Sequence, residues 1–484
     1  MMRRPCLAPA SVHEARDDEW AARAARSIVP VGEHAEGSAA RIPHVKSPRD
    51  LAPGIVALAR RATADSLLRN SLYIMATTVV TSLLGYVYWI VATRTYPARD
   101  VGLGSALLAA ITLASGLTNL GLGQTLVQLL PQRAAGAMWS RTVNAAFGVA
   151  GTTGLFAGIV TVLVLPLASP QLAVAGRDPV YTIAVVLGVP LWTASSLLDS
   201  LFVAERAAGN MLARNVVFAV LKIPLLLVPL LGLRLLAPLT ILGSWVVASA
   251  VAALVSFVVL IPRLRRGYRP MVRGLVAQVR PMLSLFAGHH LINLGSIASV
   301  YLLQILVSAR LSTADNAYFY TTWMLGGFFF TLETSVASSL FAEGAHGGDI
   351  GRKVRASVLM IGALLIPAML LFLIAGRYLM GIFGPGYREH GAALLTLLVV
   401  AAIPDGITNV YVSILRVRRL LREAAALNLG MAALTIVLAW PLLPRLGIEG
   451  AGWAWLIAQT VGSCAVAIHM RIARPLGPRA DVSA

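Results

Sequence analysis

The chain has 484 residues, of which 57% are hydrophobic and only 13% charged, about half the charged share of a soluble domain, which is roughly 25%. Its formal charge of +19 would suit a nucleic-acid binder, but the basic residues fall at alternate loops between apolar stretches, and that distribution excludes a DNA- or RNA-binding patch. Two cysteines, Cys6 and Cys464, are too few and too far apart to imply a disulfide framework.

In chain order, residues 1–53 are polar and rich in Arg and Ala, without an apolar leader core, and read as a disordered cytoplasmic tail with no cleavable signal. Residues 54–69 place Ile55, Leu58, Ala59 and Ala62 on one face and Arg60 and Arg61 off it, the pattern of a helix lying on a membrane surface. Twelve apolar stretches follow at 70–94, 101–129, 142–167, 179–204, 215–236, 239–262, 283–309, 315–340, 354–376, 390–416, 424–443 and 448–470. Each has the roughly 20 residues a helix needs to cross a bilayer core. The basic segment 263–282 divides them into six-span sets, 70–262 and 283–471, and residues 472–484 form a second cytoplasmic tail.

With both termini in the cytoplasm, the inner loops hold 17 Arg and Lys, the tails 14 and the outer loops 8, leaving Lys222 within a span. That bias fixes orientation in a cytoplasmic (inner) membrane and brings basic loops to anionic lipid headgroups. The two halves also repeat each other weakly. Asp100 meets Asp315, Pro190 meets Pro404, Asn215 meets Asn428, Pro229 meets Pro441 and Trp245 meets Trp455, with an offset drifting from 215 down to 210. Six spans is an even number, so both halves enter the membrane in the same sense. The expected fold is therefore an all-α polytopic membrane protein of two pseudo-symmetric six-helix lobes around a central cavity, an alternating-access architecture.

Three segments carry a family resemblance. They are RTYPARDVGLGSALLAAITLASGLTNLGLGQTLVQLLP (Arg94–Pro131), LFVAERAAGNMLARN (Leu201–Asn215) and LGIEGAGWAWLIAQ (Leu446–Gln459). The first resembles the bacterial polysaccharide flippases, whose first helix ends in an R-x5-(D/E)-x-G loop before a second helix rich in small residues. These flippases belong to the multidrug/oligosaccharidyl-lipid/polysaccharide exporter superfamily. The resemblance implies an undecaprenyl-diphosphate-linked oligosaccharide as substrate, moved from inner to outer leaflet. Twelve spans, without the two added C-terminal helices usual in lipid II flippases, lean towards O-antigen (lipopolysaccharide), capsule or exopolysaccharide units.

A diphosphate crossing the bilayer needs cationic partners. The candidates are Arg94 and Arg310 at span ends, and Lys222 inside the fifth span. Side chains snorkelling to the headgroups are the bland alternative for the two arginines. An ionisable group within a span is a functional hypothesis by default. On that ground His289, His290, Glu333 and Asp405 form a candidate cluster for coupling to H+ or Na+, with Pro404 expected to open the tenth helix beside Asp405. Interhelical hydrogen bonding is the competing role. Asn119, Gln124, Asn293, Gln304 and Asn409 are candidate contacts for sugar hydroxyls, or helix-to-helix glue. Asp199, five residues from the end of its span, reads as interfacial. Gly102, Gly104, Gly121 and Gly123 lack the strand and Lys-Ser/Thr of a phosphate loop and read as helix-packing positions.

No metal site, catalytic group or bound cofactor is expected, and no Walker A motif is present. Expected partners are the lipid-linked substrate, membrane lipids, and the glycosyltransferases and polymerase of the same pathway, with one chain forming the whole route as a monomer. Two other classes stay open: a small-molecule (multidrug) exporter of the same fold, and a membrane-embedded polysaccharide polymerase or ligase. The exporter would be expected to show carboxylates in the first lobe, and the enzyme a sizeable outer loop.

Overall fold

Backbone in lipid must close its own hydrogen bonds, and helix is the only regular structure among the described residues. The computed structural model describes residues 66–119, 121–132, 136–231, 240–270, 287–345, 350–418 and 420–473. The first tail, most of the expected surface helix, positions 271–282 of the basic linker and the first four residues of the expected seventh span, the chain beyond 473, and the side chains of His289, His290 and Asn293 lie outside the described residues.

Twelve long helices run in order: α1 (Ser66–Thr95), α2 (Ala98–Thr118), α3 (Ala137–Ala168), α4 (Pro179–Ala204), α5 (Ala208–Leu227), α6 (Thr240–Val255), α7 (Ala287–Arg310), α8 (Thr313–Ala345), α9 (Ile350–Gly381), α10 (Pro385–Val417), α11 (Leu421–Leu446) and α12 (Glu449–Ala473). A π-helical turn, Ser256–Leu260, carries α6 on to Leu264. Ten of the twelve are long and apolar enough to cross a membrane. In α7 the described apolar stretch is Ser299–Arg310. In α8 a run of polar residues, including Asn316, Thr321, Thr322, Glu333 and Thr334, dilutes the hydropathy.

The expected second span, 101–129, is not one helix. Gly121 takes a φ of 72°, a left-handed conformation that stops α2 and starts the separate turns Leu122–Leu129. Pro404, in contrast, does not open α10, which runs unbroken from Pro385 to Val417. The Ser463 hydroxyl of α12 donates to the Pro404 carbonyl at 2.9 Å, so a neighbouring helix supports the backbone at this point.

The helices form two lobes, α1–α6 and α7–α12. The second is knit by α8 against α10, α7 against α11 and α10 against α12; the first by α3 against α4 and by α5 against both α1 and α6. Each has its own apolar cluster, one around Trp139, Leu197 and Phe202, the other around Phe319, Leu398 and Leu443. A third cluster bridges the lobes, joining Tyr88 and Trp89 to Ala317 and Met380.

The bridge lies at one end of the molecule, where the α1–α2, α3–α4, α7–α8 and α9–α10 loops gather. There α2 packs on α8 with no side chain between them: a Cβ on Gly102 would lie 1.5 Å from the Thr313 carbonyl oxygen. Asn316 donates from Nδ2 to the Gly102 carbonyl at 2.9 Å and to the Ser105 hydroxyl at 3.0 Å. Gln171 accepts from the Thr313 backbone N–H at 2.7 Å and donates to the Leu311 carbonyl at 3.3 Å. Further in, the Tyr86 hydroxyl donates to the Met324 carbonyl at 3.2 Å, and Trp89 meets Tyr320 with ring centroids 4.5 Å apart. These hydrogen bonds and the ring contact join the two lobes at this end.

Candidate functional site

In the second lobe, α7, α8, α10, α11 and α12 enclose a cavity of about 490 Å³. Its polar lining includes Ser299, Thr334, Asp405, Thr408, Asn409, Ser413, Arg416, Asn428 and Gln459, with Trp455 and Phe330 as aromatic walls. Three of these polar groups come from successive turns of α10, since positions 405, 409 and 413 share a helix face. Asn409 donates to the Asp405 carboxylate at 2.9 Å. Thr408 donates to the Asp405 backbone carbonyl at 2.8 Å and to the Gln459 amide oxygen at 3.2 Å.

Glu333 of α8 stands behind Asp405 and is fully buried, at 0% exposure against 6% for Asp405. The Glu333 carboxyl lies against α10 next to Asp405. Room for this comes from Gly406, where a Cβ would lie 3.4 Å from the Glu333 carboxyl. Neither Glu333 oxygen has a hydrogen-bond partner of good geometry among the described residues. Two acids from different helices, about 70 positions apart in the chain, thus share one buried spot. Any part played by His289 and His290 lies outside the described side chains, although both belong to α7.

The first lobe is arranged around cations. Lys222 is 3% exposed, and its Nζ lies over the rings of Trp245, Tyr88 and Phe218 at 4.3, 4.8 and 5.0 Å from their centroids. The other two cationic candidates lie at the loop-gathering end. Arg94 donates from Nε to the Ile382 carbonyl and from Nη2 to the Gly381 carbonyl, both at 2.9 Å, tying α1 to the end of α9. Arg310 stacks over Trp440 at 4.4 Å. The structure does not gather Arg94, Lys222 and Arg310 into one cluster.

The amide candidates scatter. Asn119 donates to the Ser196 hydroxyl at 3.0 Å, linking α2 to α4. Gln124 is exposed, whereas Gln304 of α7 is 2% exposed, its Oε1 buried without a partner among the described residues. Among the described amide candidates, only Asn409 joins the polar cavity.

Two buried networks escaped the sequence reading. Arg214 of α5 is 4% exposed and pairs with Asp199 of α4 at 3.2 Å. Asn215 donates to the same carboxylate at 2.9 Å, and Arg214 to the Asn215 amide oxygen at 2.7 Å. Asp199 is therefore part of an interhelical bond between α4 and α5. Glu205, just past α4, accepts from the Trp139 indole at 2.7 Å and from Arg265 Nε at 2.9 Å. Tyr268 continues this clasp by donating to Asn144 at 2.9 Å, and burial raises its phenol above the usual range. The first residues after α6 are thereby held on the first lobe. Arg214 and Asn215 lie within a quoted family segment, but nothing in their spacing pointed to Asp199.

A two-lobed bundle of membrane-length helices, carrying buried charge in both lobes, defines a multi-pass membrane fold. Solved structures share it. The inward-facing conformation of a multidrug resistance MATE family transporter of the MOP superfamily matches with TM-score 0.59 and 14% identity, over 82% of this chain and 95% of that one. An outward-facing conformation of such a transporter matches with TM-score 0.50 and 15% identity, over 85% and 96%. The lipid II flippase MurJ, inward closed, matches with TM-score 0.58 and 10% identity, over 82% and 89%. Among curated proteins, none matches at the level of sequence. The family profile described as polysaccharide biosynthesis protein matches residues 67–337, more than half of the chain, and the protein belongs to that family.

Proposed function

We propose that this protein is a flippase that moves an undecaprenyl-diphosphate-linked oligosaccharide across the cytoplasmic membrane for assembly of a cell-surface polysaccharide. Its two lobes alternate access, and it acts as a transporter without enzymatic chemistry. The observation that carries this reading is the charge inventory of the first lobe. Of the two cations buried in α5, Arg214 is paired with Asp199, whereas Lys222 pairs with no described carboxylate. Of the described acids of this lobe, Asp199 pairs with Arg214, Glu205 with Arg265 and Asp178 caps α4, while Asp100 lies in the first turn of α2. Such a lobe suits an anionic cargo and offers a cationic drug no carboxylate partner.

Both termini are cytoplasmic in this reading, so the closed end faces outward and the conformation is inward-facing. The higher similarity to the inward-facing than to the outward-facing relative, 0.59 against 0.50, supports that assignment. The Glu333–Asp405 pair is the proposed coupling site, because burying two like charges costs several kcal/mol that a proton or Na+ between them would relieve. Glycosyltransferases and a polymerase would deliver and consume the cargo, and a single chain suffices for the pathway.

Deleting the gene in its host and analysing membrane lipids by mass spectrometry tests the reading. One defined undecaprenyl-diphosphate oligosaccharide should accumulate on the cytoplasmic leaflet while the matching surface polymer is lost. An unchanged lipid-linked pool together with raised sensitivity to organic cations would move the protein to the multidrug branch.

A further inference from the structure

Lys222 has an unusual setting for a buried ammonium. It sits five residues before the end of α5, within reach of the polar boundary for a side chain that can snorkel. Instead its Nζ turns inward, over three rings at 4.3, 4.8 and 5.0 Å. All three fall inside the range of about 6 Å in which a ring quadrupole attracts a cation. Three helices supply the walls. Phe218 precedes Lys222 by one turn on α5, so both share a face. Tyr88 comes from α1 and Trp245 from α6.

The walls are fixed independently of the lysine. The Tyr88 hydroxyl lies 2.8 Å from the Ser244 hydroxyl and donates to the Ile241 carbonyl at 3.2 Å, and its ring is fully buried. Trp245 is held by neighbouring rings: Trp192 at 5.3 Å, Phe218 at 5.4 Å and Tyr88 at 6.0 Å between centroids. A box assembled by its own contacts is ready for a cation before one arrives.

We propose that this aromatic box is a binding site for small alkylammonium ions, filled in this protein by the tethered ammonium of Lys222, which thereby keeps the first lobe closed to free organic cations. The inference does not depend on which cargo the protein carries. It makes Lys222 a determinant of specificity: shortening it would turn a self-occupied site into an open one of the same chemistry.

The test uses the full chain purified in detergent, read by tryptophan fluorescence, since Trp245 forms a wall of the box. Lys222→Ala vacates the whole side chain and is titrated with n-propylammonium chloride. Lys222→Leu keeps an apolar stem against α5 but vacates the ring end, and is titrated with methylammonium. It decides the matter should the alanine variant fail to fold. Each variant should give a saturable change that the wild type lacks, that neutral n-propanol or methanol produces at least tenfold more weakly, and that disappears when Trp245→Leu is added. No saturable change in any folded variant, an equal response in the wild type, or equal responses to alcohol and ammonium would each overturn the proposal.

Discussion

Asp405 and Glu333 meet because Gly406 lacks a side chain and because α8 and α10 are the most closely packed helices of their lobe. Replacing Asp405 by Asn keeps the shape and a hydrogen-bonding partner for Asn409, but removes one of the two charges. If the pair couples transport to a cation gradient, Asp405→Asn should cut flipping at least tenfold at unchanged expression and abolish its dependence on pH or Na+. A transport assay in inverted vesicles that finds the same gradient dependence in both proteins would remove the pair from the coupling role. Arg214 tests stability instead. Taking one partner from a buried ion pair strands the other, at a cost of roughly 3–5 kcal/mol. Arg214→Ala should therefore lower the thermal midpoint clearly. Adding Asp199→Asn should recover part of the loss, because the stranded charge goes with it. A double variant that melts lower by the sum of the single effects would mean that Asp199 and Arg214 act separately. The acid pair was legible in the sequence, since a carboxylate in an apolar helix stands out without any knowledge of its neighbours. The Asp199–Arg214 pair was not. Each lies close enough to a span end to pass for an interfacial residue, and only the folded hairpin brings them within 3.2 Å.

At the level of elements, α2 and α8 make the seam that joins the lobes. The faint repeat had paired their first turns through Asp100 and Asp315, and the two helices indeed begin alike, at Ala98 and Thr313. What the repeat could not tell is that these equivalent ends touch, backbone against backbone, at Gly102. A wedge at that point should prise them apart. With Cys6 and Cys464 replaced by Ser, a Ser105→Cys/Asn316→Cys protein should cross-link under mild oxidation, and adding Gly102→Leu should suppress the product several-fold. A protease site in the α6–α7 connection would report the link as a band of uncut size. Equal cross-linking with and without the leucine would show that the seam does not need the bare α2 backbone. The same scale shows where hydropathy misleads. The apolar run 101–129 looked like one span, but the φ of 72° at Gly121 makes it a helix and a separate short turn.

For the whole molecule, the number and order of the long helices followed from hydropathy alone, because lipid makes the apolar stretch of about 20 residues a physical requirement. The aromatic box did not follow. Its rings come from positions 88, 218 and 245, and of these only the one-turn spacing of Phe218 and Lys222 is visible without the fold. Sidedness rests on the distribution of basic residues, so a C-terminal fluorescent protein should glow and a C-terminal alkaline phosphatase stay inactive. The opposite pattern would invert the molecule and place the closed end on the cytoplasmic face.

The seam has one more property. Arg94 donates to the carbonyls of Gly381 and Ile382, Tyr86 to that of Met324, Gln171 to that of Leu311, and Asn316 to that of Gly102. Nearly every acceptor is main chain, which every amino acid supplies. Mutational drift at those acceptor positions leaves the bonds available as long as the helices keep their course, whereas the four donors have no substitute. The latch would therefore be inherited through four side chains, and homologues whose surfaces have diverged widely could still close in the same way.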